Sequence, residues 1–312
     1  MKVLVAGAAG FIGSHLVDAL LERGDQVVGV DNFVSGSRGN LQEALTSSRF
    51  SFLEHDVTLP FDYGDHFELI FHLASIASPP LYLAKPLETL AAGSSATKNL
   101  LELARRDDAV FVLASTSEVY GDPQEHPQRE SYWGHVNPVG ERSVYDEAKR
   151  FAEAMTAAYH RSYGTRASIV RIFNTFGPRL AIDDGRVISN FIVQALRGEA
   201  LTVYGNGNQT RSLCYVDDLV GGLIRAGDVA ELGPINLGQP GEMTVIEIAE
   251  RILHLTRSLS TITWHPLPAD DPTRRLPDIS LARETLNWEP TTSVDQGLQR
   301  TIDYFAAQLG LA

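Results

Sequence analysis

Short apolar runs recur along the first half of the chain, and within each run the apolar residues are continuous rather than alternating. Strands that are buried on both faces of a sheet have this pattern, and Val, Ile, Leu and Phe dominate the runs. Helix-like stretches separate them, which predicts β-α-β units and a parallel sheet. The runs cover residues 2–6, 26–30, 50–53, 68–73, 109–114 and 167–172, and the intervening helices include 12–23, 92–106 and 145–163.

The second half of the chain changes in character after about residue 176. Prolines, glycines and polar turns separate shorter elements there, among them a strand at 234–238 and a helix at 245–255. We therefore expect an α/β fold with a doubly wound parallel sheet of the Rossmann type and a smaller C-terminal lobe that binds the substrate. The sheet domain takes residues 1–176 and about 212–238, and the lobe, interleaved with it, takes 177–211 and 239–312.

Composition and charge narrow the class of protein. A chain of 312 residues with 44% hydrophobic residues can bury a large core, and the sequence holds no uncharged run long enough for a membrane span. Its apolar opening is typical of a first strand and not of a signal peptide. The net charge of −13 disfavours nucleic acid as a partner. The lone Cys214 cannot form an internal disulfide and no Cys/His cluster has zinc spacing, so we expect a cytoplasmic protein without a metal.

A glycine-rich turn stands where the first strand should pass into the first helix. Residues 7–13 read Gly-Ala-Ala-Gly-Phe-Ile-Gly, a spacing that allows a tight turn and a close approach of the backbone to a pyrophosphate. A plain strand-helix turn also uses glycines, so the motif alone is weak. Asp31, at the end of the next strand, stands at a distance suited to a ribose diol, and its charge favours NAD over NADP.

Further cofactor contacts are expected where later strands end. His55-Asp56-Val57 and Leu73-Ala74-Ser75 would flank the adenine and the ribose, although ordinary strand termination explains them equally well. Arg38 can soften the preference for NAD, although an exposed loop arginine is more often only solvated. The predicted NAD-binding residues are Gly7, Gly10, Phe11, Ile12, Gly13, Asp31, Asn32, Asp56, Val57, Leu73, Ala74 and Ser75, together with Tyr145 and Lys149.

Two segments carry candidate catalytic residues. Tyr145 and Lys149 share one face of a helix, and beside NAD the lysine charge is expected to lower the tyrosine pKa toward neutrality, so that Tyr145 can take a hydroxyl proton. A surface helix pair would show the same spacing. The segment Ser-Thr-Ser-Glu-Val-Tyr-Gly at 115–121 follows a buried strand at the edge where open α/β sheets bind ligands. Its Thr116 can hold the reacting hydroxyl. A carboxylate beside the cofactor, such as that of Glu118, needs either a charged or hydrogen-bonding partner or a catalytic role.

With these motifs in place, the chain closely resembles the UDP-glucuronate decarboxylases, or UDP-xylose synthases, of the extended short-chain dehydrogenase/reductases. The resemblance covers nearly the whole chain, and the strings Thr-Ser-Glu and Tyr-Trp-Gly-His-Val-Asn-Pro are much narrower than the superfamily signature. The matching segments are residues 7–15, 113–123, 132–138, 145–150, 171–179, 184–187, 201–219 and 270–279.

The resemblance implies a three-stage cycle on UDP-glucuronate. NAD oxidises C4 with Tyr145 as base, the 4-keto acid loses CO₂, and the retained NADH reduces the ketone to give UDP-xylose. Loss of CO₂ is physically sensible, because the developing negative charge spreads onto a carbonyl oxygen that Tyr145 and Thr116 can stabilise. The cycle leaves no net redox change.

The same resemblance assigns roles to further residues. Glu118 and Arg275 would flank C5 and the carboxyl group. Arg275 can instead bind the diphosphate, and Arg211 is a second candidate for that role. A surface salt bridge would explain either arginine without any role in function. The implied catalytic residues are Thr116, Glu118, Tyr145, Lys149 and Arg275, and the implied substrate contacts are Ser117, Asn174, Arg186, Val187, Tyr204, Arg211 and Arg275.

Two residues depart from the family pattern, and both bear on the geometry of the pocket. Gly93 stands where such enzymes usually carry an asparagine near the nicotinamide side, and Ile76 replaces a proline in the loop 74–80. The family also implies a homodimer formed through a helix pair that includes 92–106 and 145–163. The second helix carries small residues on more than one face, which is compatible with close packing.

Three alternatives remain open. A UDP-sugar 4-epimerase would share Thr116, Tyr145 and Lys149 but has no evident use for Glu118. A 4,6-dehydratase would normally carry an acid at the position of Ser117. A sensor of nucleotide sugars or NAD would keep the fold without turnover, yet such sensors usually lose the tyrosine or the lysine.

Overall fold

The computed structural model describes residues 1–60, 63–64, 66–267 and 274–311, so the first part of the family-like segment 270–279 lies outside the described residues. The strands and α-helices, in chain order, are β1 (Lys2–Ala6), α1 (Phe11–Arg23), β2 (Gln26–Asp31), β3 (Phe50–Glu54), β4 (Leu69–His72), α2 (Pro79–Ala84), α3 (Pro86–Ala91), α4 (Thr97–Asp107), β5 (Val110–Thr116), α5 (Ser143–Tyr163), β6 (Ala167–Ile172), β7 (Thr175–Phe176), α6 (Val187–Arg197), β8 (Leu201–Tyr204), β9 (Thr210–Arg211), β10 (Cys214–Tyr215), α7 (Val216–Val229), β11 (Ile235–Leu237), β12 (Met243–Thr244), α8 (Val245–Thr256), β13 (Ile262–His265), α9 (Ser280–Leu286) and α10 (Val294–Gln308).

Seven strands form one parallel sheet in the order β11-β6-β5-β4-β1-β2-β3. The chain builds outward from β1 to β3 and then returns to β4 on the other side of β1. Open α/β sheets bind ligands outside the carboxyl ends of the strands where the direction of winding switches, which here is between β1 and β4. The predicted doubly wound parallel sheet is confirmed, and the first six strands begin within one residue of their predicted starts.

Both faces of the sheet are covered, and this explains the continuous apolar runs. In β1, Val3 and Val5 belong to one hydrophobic core, whereas Leu4 and Ala6 belong to the core on the opposite face. Alternate side chains of one strand thus enter different cores, so the middle of the strand is apolar at every position. The prediction of two buried faces is wrong for β3, whose side chains are only partly buried or exposed, because β3 lies at the edge of the sheet.

The second half of the chain supplies one more sheet strand and a set of smaller elements. Helix α7 and strand β11 return to the main sheet, whereas β8 pairs with β13 and β9 pairs with β12 outside it. The predicted strand 234–238 and helix 245–255 correspond to β11 and α8. Among the described helices, none is long and apolar enough to cross a membrane.

Candidate active site

One cavity of about 1090 Å³ lies at the carboxyl edge of the sheet and is walled on the other side by residues of β8 and β9. Predicted residues from distant parts of the chain meet in it. The predicted catalytic and substrate-binding residues all line this cavity, namely Thr116, Ser117, Glu118, Tyr145, Lys149, Asn174, Arg186, Val187, Tyr204, Arg211 and Arg275. Of the predicted cofactor residues, Gly7, Gly10, Phe11, Ile12, Gly13, Leu73 and Ser75 line it as well.

The glycine turn between β1 and α1 packs closely against its own backbone, which is possible only because these positions lack side chains. Gly7 has φ +85°, and a Cβ on it would lie 2.7 Å from the backbone nitrogen of Ala74. A Cβ on Gly13 would lie 1.9 Å from the carbonyl oxygen of Gly7. Helix α1 begins at Phe11 with no side-chain cap on Gly10 and no acidic residue in its first turn. Its N–H groups and positive end therefore suit a pyrophosphate, so these residues fit a dinucleotide.

Five predicted cofactor residues, Asp31, Asn32, Asp56, Val57 and Ala74, lie beside the cavity rather than in its wall. The Asp31 carboxylate accepts hydrogen bonds from the backbone N–H groups of Ala9 (2.9 Å) and Phe33 (2.8 Å). Asp56 accepts from Thr58 and is also hydrogen-bonded by Asn32. Asp31 thus braces the glycine turn, and its contact with a ribose stays a prediction.

Strand β5 and helix α5 bring the predicted oxidation residues together. Thr116 ends β5, and its side chain lies close enough to the hydroxyl of Tyr145 to lower the pKa of that hydroxyl. The ammonium of Lys149 lies 5.9 Å from the centre of the Tyr145 ring and donates to the carbonyl oxygen of Ala114 at 2.7 Å. All three side chains are buried at the edge of the cavity. A substrate hydroxyl that binds next to Thr116 and Tyr145 would have both a hydrogen-bond acceptor and a hydrogen-bond donor beside it.

The pKa values of this group are set by burial. Burial raises the pKa of Tyr145 to about 12, against the lowering effects of Arg186 and Thr116. Burial also lowers the pKa of Lys149 to about 8. In the chain alone, desolvation outweighs every nearby charge at Tyr145, and the effect of Lys149 on this pKa beside bound NAD stays a prediction.

Glu118 is held by two arginines in the same cavity. Its Oε2 lies 3.1 Å from Arg142 Nη2 and 3.2 Å from Arg275 Nη2. Burial alone would raise the pKa of Glu118, but the charges of Arg275 and Arg142 lower it to about 2. Arg275 is 1% exposed and also donates to the carbonyl oxygen of Gly121. The ion pair predicted as a surface alternative is thus buried, and Glu118 is a permanent anion beside two cations.

Two further arginines approach from the C-terminal lobe. Arg186 precedes α6, donates to the carbonyl oxygen of Ala77 at 3.0 Å and pairs with Asp184 at 3.2 Å. Arg211 on β9 lies close enough to Glu118 for its charge to lower the pKa of that carboxyl. Since the fork of a guanidinium matches the oxygens of phosphates and carboxylates, this end of the cavity suits an anionic ligand.

The two residues that depart from the family pattern pack behind the site and do not line the cavity themselves. Ile76 is buried in a small apolar cluster with Tyr82 and Tyr145. Gly93 lies in a π-helical turn between α3 and α4, and a Cβ on it would come within 2.4 Å of the carbonyl oxygen of Ala148. Gly93 thus permits close contact with α5 immediately before Lys149, and it is not among the residues that line the cavity.

We expect Gly93→Asn, which restores the usual family residue, to lower the free energy of unfolding by about 1–3 kcal/mol, because the added atoms overlap the backbone of α5. Thermal and urea unfolding measure the change. Gly221→Asn is the matched control, since a Cβ at this helical glycine meets nothing within 4 Å. Equal stability of the two variants would contradict the close contact.

Sequence reasoning missed several residues that line the cavity. Arg142 stands one helical turn before Tyr145, a spacing that indicates a shared face. Tyr82 stacks on Tyr145, with ring centres 5.3 Å apart and planes 6° from parallel. No local sequence pattern indicates that Tyr82 lines the cavity. On the cofactor side the missed residues are Ser37, Asn40, Arg179, Tyr304 and Gln308.

Comparisons with known proteins agree with this architecture. Residues 3–238 match the NAD dependent epimerase/dehydratase family. UDP-glucuronic acid decarboxylase 1 of Arabidopsis thaliana is 50% identical over 98% of this chain and 70% of its own length. The protein of the same name from Danio rerio is 49% identical over 99% of this chain and 73% of its own length. The crystal structure of UDP-glucuronic acid 4-epimerase from Bacillus cereus, in complex with UDP-glucuronic acid and NAD, superposes with a TM-score of 0.90 at 30% identity and covers 99% of this chain and 100% of the epimerase.

Proposed function

Because the chain belongs to the NAD dependent epimerase/dehydratase family, and within it to the UDP-glucuronic acid decarboxylases, we propose that it converts UDP-glucuronate to UDP-xylose and CO₂. The observation that carries the proposal is the anion Glu118, held by Arg142 and Arg275 in the cavity that also contains Thr116 and Tyr145. One cavity thus combines a pair for alcohol oxidation with charged groups for a carboxylate.

NAD is the cofactor of this family, and when bound it accepts a hydride from C4 of the sugar and returns it in the last stage. The glycine turn and the uncapped end of α1 would hold its pyrophosphate. Asp31 would receive the adenosine ribose, and Lys149 would hold the ribose next to the reacting ring. The walls around Leu73 and Ser75 complete the cofactor half of the cavity.

Tyr145 acts as the base that takes the proton of the C4 hydroxyl. The side chain of Thr116, which lies close to the Tyr145 hydroxyl, defines where that C4 hydroxyl binds. Because burial holds the Tyr145 pKa near 12, the tyrosinate forms only when positive charge is added to the site. Arg186 already lowers this pKa in part, and the positive charge of bound NAD⁺ would add to its effect. In the return stage Tyr145 gives the proton back to the oxygen at C4.

Glu118 drives the loss of CO₂ by electrostatics. Arg275 binds the carboxylate of the substrate, and the ionised Glu118 prevents the arginines from stabilising that carboxylate too strongly. Decarboxylation moves negative charge from the carboxyl group to the oxygen at C4, away from Glu118 and toward Tyr145 and Thr116. The repulsion by Glu118 is therefore larger in the ground state than in the transition state.

The alternatives are less well supported. Identity to the decarboxylases is 50%, against 30% to the UDP-glucuronic acid 4-epimerase, and epimerisation has no use for Glu118. A 4,6-dehydratase needs an acid at C6, where Ser117 stands. A sensor would not need the buried pair Tyr145 and Lys149, since isolated buried polar groups cost stability.

A C4-deuterated substrate tests the proposed cycle. We expect the deuterium of UDP-[4-²H]-glucuronate to remain at C4 of UDP-xylose, even with excess unlabelled NADH in solution, because the same bound cofactor takes and returns it. Mass spectrometry and NMR of the product measure retention. Wash-out of the label with intact decarboxylation would contradict the closed cycle, and a labelled product that keeps its carboxyl group would indicate epimerisation.

We also propose a homodimer. Exposed apolar side chains, Leu83, Leu87, Leu90 and Phe151, lie on α2, α3 and α5, on helices that pack together. The outward positions of α4 are charged, among them Lys98 and Arg105. The contact therefore centres on α3 and α5 rather than on the full predicted segment 92–106, and it buries apolar surface that a monomer would leave in water.

Sedimentation equilibrium tests the dimer. We expect Phe151→Asp to convert dimer to monomer, because the charge would be buried at the centre of the contact. Leu259→Asp is the control, since Leu259 is 99% exposed and lies outside these helices. A wild-type protein that sediments as a monomer, or a Phe151→Asp variant that stays dimeric, would contradict the proposal.

We propose that one part of the chain binds the cofactor and the other binds the substrate. The sheet domain, residues 1–176 and 212–238, would bind NAD. The smaller lobe, residues 177–211 and 239–312, would bind the UDP-sugar through Val187, Tyr204 and Arg211, together with Asn174 at the boundary. UDP-sugars are the partner class, and nucleic acid is not. We place the enzyme in the cytoplasm, a reducing compartment that suits the buried free thiol of Cys214.

A further inference from the structure

The proposed reaction consumes a proton that Glu118 cannot supply. Loss of CO₂ from the 4-keto acid leaves an enolate, and C5 must then gain a proton before C4 is reduced. With both arginines on its carboxylate, Glu118 has a pKa of about 2 and carries no proton at neutral pH. Tyr145 needs its own proton for the oxygen at C4. Another proton donor must therefore serve C5.

A second buried carboxyl group lies next to the site. Asp146 follows Tyr145 on α5, is 7% exposed, and its Oδ1 has no hydrogen-bond partner among the described residues. Burial and the negative charge of Glu118 raise the pKa of Asp146 to about 7. The charged groups that face it are Glu118, Arg142, Arg275 and Glu147, and the arginines lower this pKa only in part.

Tyr82 connects this acid to the cavity. Its ring lines the cavity, and its hydroxyl is buried without a hydrogen-bond partner in the described part of the chain. It stacks on Tyr145 with ring centres 5.3 Å apart, and its hydroxyl is close enough to Asp146 to interact with its charge. Tyr145 acts at C4 of the sugar. Because the ring of Tyr82 lies parallel to that of Tyr145 and next to it, the Tyr82 hydroxyl is suited to act at the neighbouring carbon, C5.

We propose that Asp146 stores the proton that C5 takes up after CO₂ leaves, and that the hydroxyl of Tyr82 delivers it. The O–H bond of Tyr82 breaks as the C5–H bond forms and the enolate becomes a ketone. Tyr82 regains a proton from the carboxylic acid of Asp146 through a water held between them, and solvent reprotonates Asp146 before the next turnover. Neither residue changes oxidation state.

This inference rests on the proposed decarboxylation, and Asp146→Asn tests it in the full chain with NAD and carboxyl-labelled UDP-glucuronate. We expect Asp146→Asn to keep C4 oxidation and CO₂ release in a single turnover but to slow UDP-xylose formation by roughly 10²-fold, the scale of general acid catalysis. In the wild type, UDP-xylose formation should fall as the pH rises through about 7, because the protonated form of Asp146 is lost. The variant should not show this pH dependence.

Glu147→Gln is the matched control, because Glu147 is the next carboxyl on the same helix, is more exposed and pairs with Arg150. Tyr82→Phe keeps the stack on Tyr145, removes only the hydroxyl, and should reproduce the defect even if Asp146→Asn fails to fold. An unchanged rate and pH profile in either variant, in an assay where the wild type releases CO₂, would overturn the relay alone. A wild type that releases no CO₂ would overturn the proposed function and the relay with it.

Discussion

Tyr145→Phe should abolish ketone formation, with kcat lower by roughly 10²–10⁴-fold, because the variant removes the base that takes the proton of the C4 hydroxyl. The ring and its stack on Tyr82 remain, so the fold and the shape of the cavity should not change. Single-turnover absorbance of the reduced cofactor measures the oxidation directly. UDP-glucuronate binding should stay within a few-fold of the wild type, which separates a chemical defect from lost affinity.

Tyr163→Phe is the control for this variant, since Tyr163 ends the same helix and is 61% exposed. It should match the wild type in oxidation and in product formation. If Tyr145→Phe still reduced the cofactor at the wild-type rate, the neighbouring side chains of Thr116 and Tyr145 would have no part in proton removal, and the base would have to be another residue of the cavity.

Glu118→Gln should let C4 oxidation proceed and slow the release of CO₂ by roughly 10²-fold, the scale on which a preorganised charge at a reacting centre acts. The amide can still accept a hydrogen bond from Arg275 but no longer opposes its charge. The substrate carboxylate would then bind more tightly in the ground state. We therefore expect a lower KM together with the lower kcat, and accumulation of reduced cofactor during turnover.

Thermal unfolding must accompany this experiment, because removing one partner of a buried ion pair is costly to stability. Glu125→Gln, at an exposed carboxyl, is the control for a loss of one negative charge. Wild-type CO₂ release by a folded Glu118→Gln variant would contradict the electrostatic role of Glu118 and would leave its pairing with Arg142 and Arg275 as a structural feature only.

Much of the fold and of the cavity could be predicted because the signals are local. The continuous apolar runs follow from a sheet covered on both faces, and the glycine spacing follows from a turn in which a Cβ on Gly13 would overlap the backbone. Tyr145 and Lys149 stand at helical spacing, and Thr116 ends a buried strand. Each of these patterns has one physical cause that lies within a few residues of it.

The remaining features depend on contacts between distant parts of the chain. The charge state of Glu118 depends on Arg275, more than 150 residues away in sequence, and the buried Tyr82 hydroxyl and Asp146 Oδ1 lack a hydrogen-bond partner within the described part of the chain. Desolvation has no sequence pattern, so the raised pKa of Tyr145 in the chain alone could not be predicted. No local pattern indicates either that the Asp31 carboxylate accepts hydrogen bonds from the backbone N–H groups of Ala9 and Phe33.

The mass of the nucleotide sugar after incubation of the purified protein with NAD and UDP-glucuronate tests the central claim most directly. We expect a product lighter by the mass of CO₂, with a pentose in place of the glucuronate and no net reduction of the cofactor. An unchanged mass with a new chromatographic peak would mean epimerisation at C4, and it would contradict the role assigned here to Glu118 and its two arginines.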